Sequence, residues 1–127
     1  MEKKLFISLE LSKIAKEKGF KEPCLACYDK CDMLSTYSGS LFKPKNYNNS
    51  GYCKSAPLYD EIIDWFNIKH NIDIVVMPKY KDLGKFYGGY IQRDSDSINK
   101  SYGSNFKTRK EALDKAIEDA FKLIDNI

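Results

Sequence analysis

Apolar side chains recur along the chain either every three to four residues or at every second position. The first spacing predicts three helices, and the second predicts short strands between them. The first helical pattern predicts a helix over Leu9–Lys18. Ser8 precedes it as a candidate N-cap, because its hydroxyl can accept a bond from a free amide of the first turn. Gly19 can adopt the left-handed conformation that ends a helix, and Phe20 can then fold back onto the last turn.

The other two helical patterns lie in the middle and at the end of the chain. The middle pattern predicts a helix over Leu58–Lys69, with Ser55 as its cap. In the last pattern, Thr108 and Glu111 have the spacing of a capping box, and a continuous apolar stripe follows them. The stripe consists of Ala112, Leu113, Ala116, Ile117, Ala120 and Ile124.

Strand patterns occupy the stretches between the helices. The run "PCLACY" predicts a strand that begins near Cys24. Residues 35–54 are rich in Ser, Gly, Pro and Asn, which predicts a long loop with a short paired strand around Leu41–Phe42. After the second helix, "IDIVVMPKY" and "KFYGGYIQR" predict two strands joined by a turn, and "DSDSINKSYGSN" predicts a third short strand.

The predicted elements follow the order α–β–(β)–α–β–β–(β)–α. This order predicts an α+β fold in two layers, in which three amphipathic helices pack on a small, mostly antiparallel sheet. The length of 127 residues suits one hydrophobic core, and no repeat or linker divides the chain. We therefore expect residues 1–127 to form a single domain.

Composition restricts the compartment and the kinds of partner. Aromatic residues make up 13% of the chain, which is enough apolar area for a folded core. The net charge of +3 permits an acidic partner but is lower than nucleic-acid modules usually carry. No apolar run approaches the roughly 18 residues needed to cross a bilayer, and the first residues lack a signal-peptide pattern. We expect a cytosolic protein with reduced thiols and no membrane partner.

Four cysteines raise the question of a metal site. Cys24 and Cys27 have the spacing of a zinc-ligand pair, and Cys31 and Cys53 would complete a set of four thiolates. In an extended strand, however, Cys24 and Cys27 would project to opposite faces and could not share an ion. Free cysteine also packs well as a small buried side chain. The sequence therefore favours structural cysteines without a cofactor, and a zinc-stabilised module is the alternative.

Enzyme signatures are absent from the sequence. The single histidine, His70, lies at the end of a predicted helix, where a cation interacts favourably with the helix dipole. The run "GKFYGG" lacks the preceding glycine-rich segment and the Ser or Thr of a P-loop. The pattern also places no pair of carboxylates at a defined distance. We expect a protein without catalytic residues.

The predicted strand pair after the second helix interleaves basic and aromatic residues. Such rings can stack on bases while lysines contact phosphates, so the hairpin is a candidate platform for single-stranded nucleic acid. Alternatively, Phe86 and Tyr90 pack under the helices while Tyr87 faces solvent, and exposed rings on an open sheet face would also suit a homo-oligomer. The candidate binding residues in the hairpin are Lys79, Tyr80, Lys81, Lys85, Tyr87, Tyr90 and Arg93.

The second half of the chain runs helix, strands, helix, and its final helix opens with "KTRKEA". This arrangement resembles the double-stranded RNA-binding domain, whose last helix begins with a Lys-Lys-x-Ala-Lys type of signature. The resemblance implies phosphate contacts for Lys107, Arg109 and Lys110. The chain departs from that family in three places. Glu111 follows the basic residues directly, the loop "KDLGK" lacks Gly-Pro-x-His, and "IDIVVM" adds a strand where none is expected.

Three motifs extend across the chain: "KEKGF" followed by "KEPCLACY", "APL" before the aromatic helix, and "FKTRKEA" at the last helix. Together they resemble the pattern of small uncharacterised proteins encoded by phages and prophages of gut Bacteroidales. In that family the position of Cys27 is usually Tyr, and the segment from Asp29 to Cys53 departs most from the pattern. The resemblance implies a shape and a phage origin but no activity.

The leading hypothesis is therefore a phage-encoded, non-enzymatic accessory protein in the cytoplasm of a bacterial host or in the virion. It would bind a host or phage protein, in defence counteraction or in virion assembly. The second hypothesis is a nucleic-acid-binding module that uses residues 79–93 and the start of the last helix. The third is the zinc-stabilised module.

Overall fold

The computed structural model describes residues 5–36, 44–81, 84–93 and 98–125. The chain divides into two compact units, Met1–Ile62 and Ile63–Ile127. The described residues form three α-helices and antiparallel strands, which confirms the predicted α+β class. The strands make two three-stranded sheets, one in each unit, where one small sheet was expected. The expectation of a single domain stays a prediction. Among the described residues, no helix is both long and apolar enough to span a bilayer.

Helix α1 spans Leu9–Glu17, within one residue of the prediction. The hydroxyl of Ser8 accepts a hydrogen bond at 3.2 Å from an amide of the first turn, which confirms it as the N-cap. At the other end, Gly19 has a φ of +88°, and the Phe20 amide donates to the Ala15 carbonyl at 2.9 Å. This is a Schellman ending, and it turns Phe20 back into the core of the first unit.

The sheet of the first unit has β1 (Ala26–Tyr28) between β2 (Leu34–Thr36) and β3 (Lys54–Ala56), with both pairs antiparallel. The predicted strand near Cys24 therefore begins two residues later. Cys24 itself forms an isolated bridge with Lys45, in which each amide donates to the other's carbonyl at 2.9 Å. Phe6, Ala26 and Ala56 form a buried cluster beside this sheet.

Much of the predicted long loop is structured in its described part. A single 3₁₀ turn spans Tyr47–Asn49, and the Asn48 side chain cross-links it to its surroundings. Its amide group donates to the Phe20 carbonyl, and its carbonyl oxygen accepts from the Ser55 amide, both at 2.8 Å. The Ser55 hydroxyl in turn accepts from the Tyr47 amide at 2.9 Å. The strand predicted around Leu41–Phe42 lies outside the described residues.

Helix α2 spans Tyr59–His70, one residue later than predicted. The prediction that Ser55 caps it was wrong, because Ser55 lies in β3 and bonds to the 3₁₀ turn instead. The first turn is closed by Glu61, whose carboxylate accepts a hydrogen bond from the Leu58 amide at 2.8 Å. Asn71 follows the last turn with a left-handed φ of +55°, and ends the helix as a glycine often does.

The sheet of the second unit has β5 (Gly84–Arg93) between β4 (Ile72–Lys81) and β6 (Ile98–Phe106). The predicted third short strand is thus a full strand of nine residues. Helix α3 (Arg109–Asp125) lies against all three strands. Because strand residues alternate in direction, fully buried Ile72 and exposed Met77 lie on opposite faces of the sheet.

The apolar stripe predicted for α3 is confirmed, since all six residues are buried or half-buried. Phe121 extends the stripe, and the centre of its ring lies 4.9 Å from that of Phe66 on α2. The Thr108 hydroxyl accepts a hydrogen bond from the Glu111 amide at 3.1 Å, as the capping box predicts. The carboxylate of Asp119 is buried on this helix and pairs with Lys115 at 3.3 Å.

Lys16 on α1 holds the segment that leads into β3. Its ammonium group donates to the carbonyls of Ser50 and Cys53, each at 2.7 Å. These are charge-assisted hydrogen bonds, which contribute more to stability than neutral ones. They attach the backbone at Cys53 to a helix that is itself capped at both ends.

Replacing Lys16 by methionine keeps most of the side-chain length but removes the donor from both carbonyls. We expect the free energy of unfolding to fall by about 1.5–3 kcal/mol, the usual range for hydrogen bonds to charged groups. Urea denaturation measures this. Lys13→Met, at an exposed position of the same helix, is the matched control and should change stability by less than about 0.5 kcal/mol. Equal losses in the two variants would contradict the role given to Lys16.

Candidate functional site

Three of the four cysteines line one pocket in the first unit, with a volume of about 310 Å³. Cys27 comes from β1, Cys31 from the turn after β1, and Cys53 from the residue before β3. Tyr52, with 62% of its surface exposed, also lines the pocket. We call this feature the thiol pocket. It is formed by β1, by β2 and by the connections that follow β1 and precede β3.

Cys27 lies in the middle of the central strand. It pairs with Ser35 on β2 and with Ser55 on β3, and its side chain is buried. Its sulfur lies 3.8 Å from the Ser35 hydroxyl oxygen. Burial is the main cause that raises the pKa of the Cys27 thiol, the hydrogen bond with Ser35 lowers it, and the nearby Cys53 thiol raises it again. Cys27 is therefore held as a neutral thiol next to a second sulfur.

Cys31 is exposed and lies in a turn that Asp29 organises. The Asp29 carboxylate accepts hydrogen bonds from the amides of Cys31, at 2.8 Å, and Met33, at 3.1 Å. Asp32 completes the turn with a left-handed φ of +61°, a conformation that aspartate tolerates better than most residues. The turn gives Cys31 a defined place at the pocket. The interpretation of all four cysteines as buried structural residues was wrong for Cys31, which is exposed, and Cys53 is only half-buried.

Cys24 lies apart from the thiol pocket. Its side chain is fully buried, and the thiol donates to the Glu22 carbonyl at 3.5 Å. Burial, with a further contribution from the charge of Glu61, raises the pKa of Cys24 to about 12. The four cysteines of the zinc alternative, Cys24, Cys27, Cys31 and Cys53, therefore do not converge on one point. In the described part of the chain, no three His, Cys, Asp or Glu side chains are arranged to ligate one metal ion.

The second unit brings basic residues to one end of its sheet. Lys79, Lys81 and Lys85 lie on the strands beside the β4–β5 turn. Tyr87 pairs with Pro78 on one side and with Phe106 on the other, so β6 ends only about 10 Å from that turn, at 3.3 Å per residue. The chain then continues directly into α3. We define the basic end as Lys79, Lys81, Lys85, Lys107, Arg109 and Lys110.

Side chains are described for only part of the basic end. Lys107, Arg109 and Lys110 are all exposed around the start of α3. Lys110 pairs with Asp114 at 3.1 Å, one turn further along the helix. The side chains of Lys79, Tyr80, Lys81 and Lys85 lie outside the described part of the structure, so only their strand positions are known.

The remaining hairpin residues do not join the basic end. Arg93 pairs with Ile72 and Ile98 at the opposite end of the sheet, and Tyr90 pairs with Val75; their side chains also lie outside the described residues. Tyr87 is half-buried rather than directed to solvent as expected. Tyr87 lies four positions before buried Ile91 on β5, and therefore on the same face of the strand.

His70 ends α2, where the sequence predicts it. The centre of its ring lies 4.7 Å from that of Trp65, in an edge-to-face contact. A cation at this position would interact favourably with the end of the helix dipole. The ring contact gives His70 a packing role in the second unit.

Comparisons of the chain with protein-family models, with curated proteins and with solved structures find no match.

Sequence reasoning missed the thiol pocket because its parts are far apart in the chain. Cys27 and Cys53 are brought together by the pairing of β1 with β3, two strands too short to show an alternating pattern. One local signal was present in "DKCDM", where an aspartate precedes the cysteine by two residues. This is the spacing at which an aspartate side chain accepts a bond from the backbone of a turn.

The environments of the cysteines predict an order of reaction with iodoacetamide. Cys31 should react first because it is exposed, and Cys24 should be protected by burial and by its pKa of about 12. At pH 9 only about one Cys24 thiol in a thousand would be ionised, so Cys24 should stay unreactive when the pH is raised from 7 to 9. Peptide mass spectrometry measures the rates, with urea-unfolded protein as the control. Labelling of Cys24 as fast as Cys31 in the folded protein would contradict these assignments.

Proposed function

We propose that the protein is a non-enzymatic accessory protein that binds the phosphate backbone of duplex RNA through the basic end of its second unit. The observation that carries the proposal is the convergence of two separate basic segments on one end of a sheet. One segment is the β4–β5 turn region, and the other is the start of α3. Two separate basic segments can contact the regular array of phosphates along a nucleic acid, whereas a single acidic group could contact only one of them.

The position of the cations at the start of α3 supports a binding role. The first turn of a helix carries free amides and the positive end of the helix dipole, so it attracts anions. Cations placed there are unfavourable by about 0.3–1 kcal/mol each at an exposed site. Arg109 and Lys110 are in the first turn and Lys107 just precedes it. A bound phosphate would offset this cost for Lys107 and Arg109, whereas the ion pair with Asp114 already offsets part of it for Lys110.

The order of elements also favours this ligand. After the last turns of α2, the second unit continues β4–β5–β6–α3, which is the helix, strands, helix order compared above with the double-stranded RNA-binding domain. Domains of that kind read the shape and backbone of a duplex and not its sequence. The strand predicted in "IDIVVM" is β4. It is the first of the three strands described in this unit, so it belongs to the helix, strands, helix order itself. The differences at Glu111 and in the β4–β5 turn sequence remain.

An acidic surface on a host or phage protein is the second candidate partner. It is favoured by exposed Met77 and half-exposed Val75 on β4, which continue toward the basic end. Methionine is enriched at protein interfaces, and the rim around their apolar centre is polar. The phage origin, and the location in a host cytoplasm or virion, stay predictions from the family resemblance.

The double variant Lys107→Glu/Arg109→Glu tests the proposed RNA interaction. We expect the wild type to bind an RNA duplex of about 16 base pairs at low salt, with an affinity that falls as salt rises. The double variant should weaken binding to every duplex sequence and lower the salt slope by about 2, one for each phosphate that is no longer bound. Fluorescence anisotropy with a labelled duplex measures both quantities.

A matched control separates local interactions from total charge. The control variant Lys13→Glu/Lys21→Glu likewise reverses the charge of two exposed side chains, in this case two lysines. Each reversal lowers the net charge of +3 by 2, so both double variants have a net charge of −1. This control should bind nearly as well as the wild type. Equal weakening in both variants, or no binding by the wild type at low salt, would refute duplex binding at the basic end. In the second case the acidic protein partner becomes the leading candidate.

A further inference from the structure

Two of the three cysteines of the thiol pocket, Cys27 and Cys53, are held in a fixed relation by the sheet. Because Cys27 pairs with Ser55 in an antiparallel register, Cys53 lies two positions away and diagonally across from Cys27. Diagonal neighbours share one face of a sheet, with α-carbons about 7–8 Å apart. Both residues line the pocket, so their side chains border the same cavity. The backbone at Cys53 is held by Lys16, and Cys27 is held by strands on both sides.

This spacing favours a bridging ion over a disulfide. A disulfide needs α-carbons about 4.4–6.8 Å apart, so direct oxidation of Cys27 and Cys53 would require the backbone to move. An ion bound between the two sulfurs makes the connection longer than a direct S–S bond, as the larger α-carbon separation of diagonal neighbours requires. Zinc requires four ligands in a tetrahedron, and the described residues do not provide such a set. Soft monovalent ions such as Cu(I) are instead selected by thiolate sulfur.

We propose that Cys27 and Cys53 bind one Cu(I) ion between their sulfurs in the thiol pocket. Binding replaces two thiol protons by the ion: two neutral thiols and one Cu(I) give a bis-thiolate complex of charge −1 and two protons in solution. No electron is transferred. Lys30 and Asp29 both line the pocket, so the positive charge near the anionic complex is offset by a negative one. Cys24 takes no part, since it lies outside the pocket.

An anaerobic titration of the full chain with Cu(I) alone, in competition with a coloured Cu(I) chelator, tests the proposal. The wild type should take up one ion per chain, and native mass spectrometry should show that ion on the monomer. Cys53→Ser should lose affinity by more than about 100-fold, because even substitutions beyond the ligands themselves cost about 10- to 100-fold. Cys24→Ala is the matched control and should retain one ion at wild-type affinity.

Four results would overturn the proposal. They are no uptake by the wild type, full binding by Cys53→Ser, an equal loss in Cys24→Ala, or an ion found only between two chains. Circular dichroism establishes that each variant is folded before titration. A second measurement needs no variant: Cu(I) bound to the wild type should block alkylation of Cys53, and unchanged labelling of Cys53 in the presence of the ion would also refute the site.

Discussion

The pairing of β1 with a strand on each side is the interaction on which the first unit depends. It fixes Cys27 opposite Ser35 and Ser55, and so joins parts of the chain that are far apart in sequence. Closing such a loop has an entropic cost that grows slowly with its length, and three-residue strands offer few bonds to offset it. The additional bonds come from side chains: Asn48 bonds to Ser55, and Lys16 bonds to the segment before β3. The thiol pocket follows from this register.

In the second unit, the central strand β5 has the corresponding role. Its pairing with β4 sets the turn that carries the first basic segment, and its pairing with β6 sets where α3 begins. The two basic segments are separated by more than twenty residues in the sequence, and neither would form an extended cationic surface alone. The proposed RNA-binding surface is therefore a consequence of sheet topology, and the modest net charge of the chain does not exclude it.

Local signals in the sequence predicted the helices well. Ser8, Gly19 and Thr108 act through bonds to residues three to five positions away, so their roles can be read from the sequence. The role of Ser55 could not be predicted in this way. Its position before α2 resembles that of a cap, but its hydroxyl bonds to a 3₁₀ turn that lies close to it only in the folded chain. The strands β2 and β3 are short and partly polar, and nothing in their spacing distinguishes them from loop.

The candidate sites were predicted only in part, because each depends on strand register. The sequence identified the basic residues and the cysteines as residue types but could not place Cys53 beside Cys27. Cross-strand nuclear Overhauser effects in isotopically labelled protein test this register most directly. We expect effects that link Cys27 to both Ser35 and Ser55 in one sample. A register shifted by one residue would turn Cys27 to the other face of the sheet and contradict it.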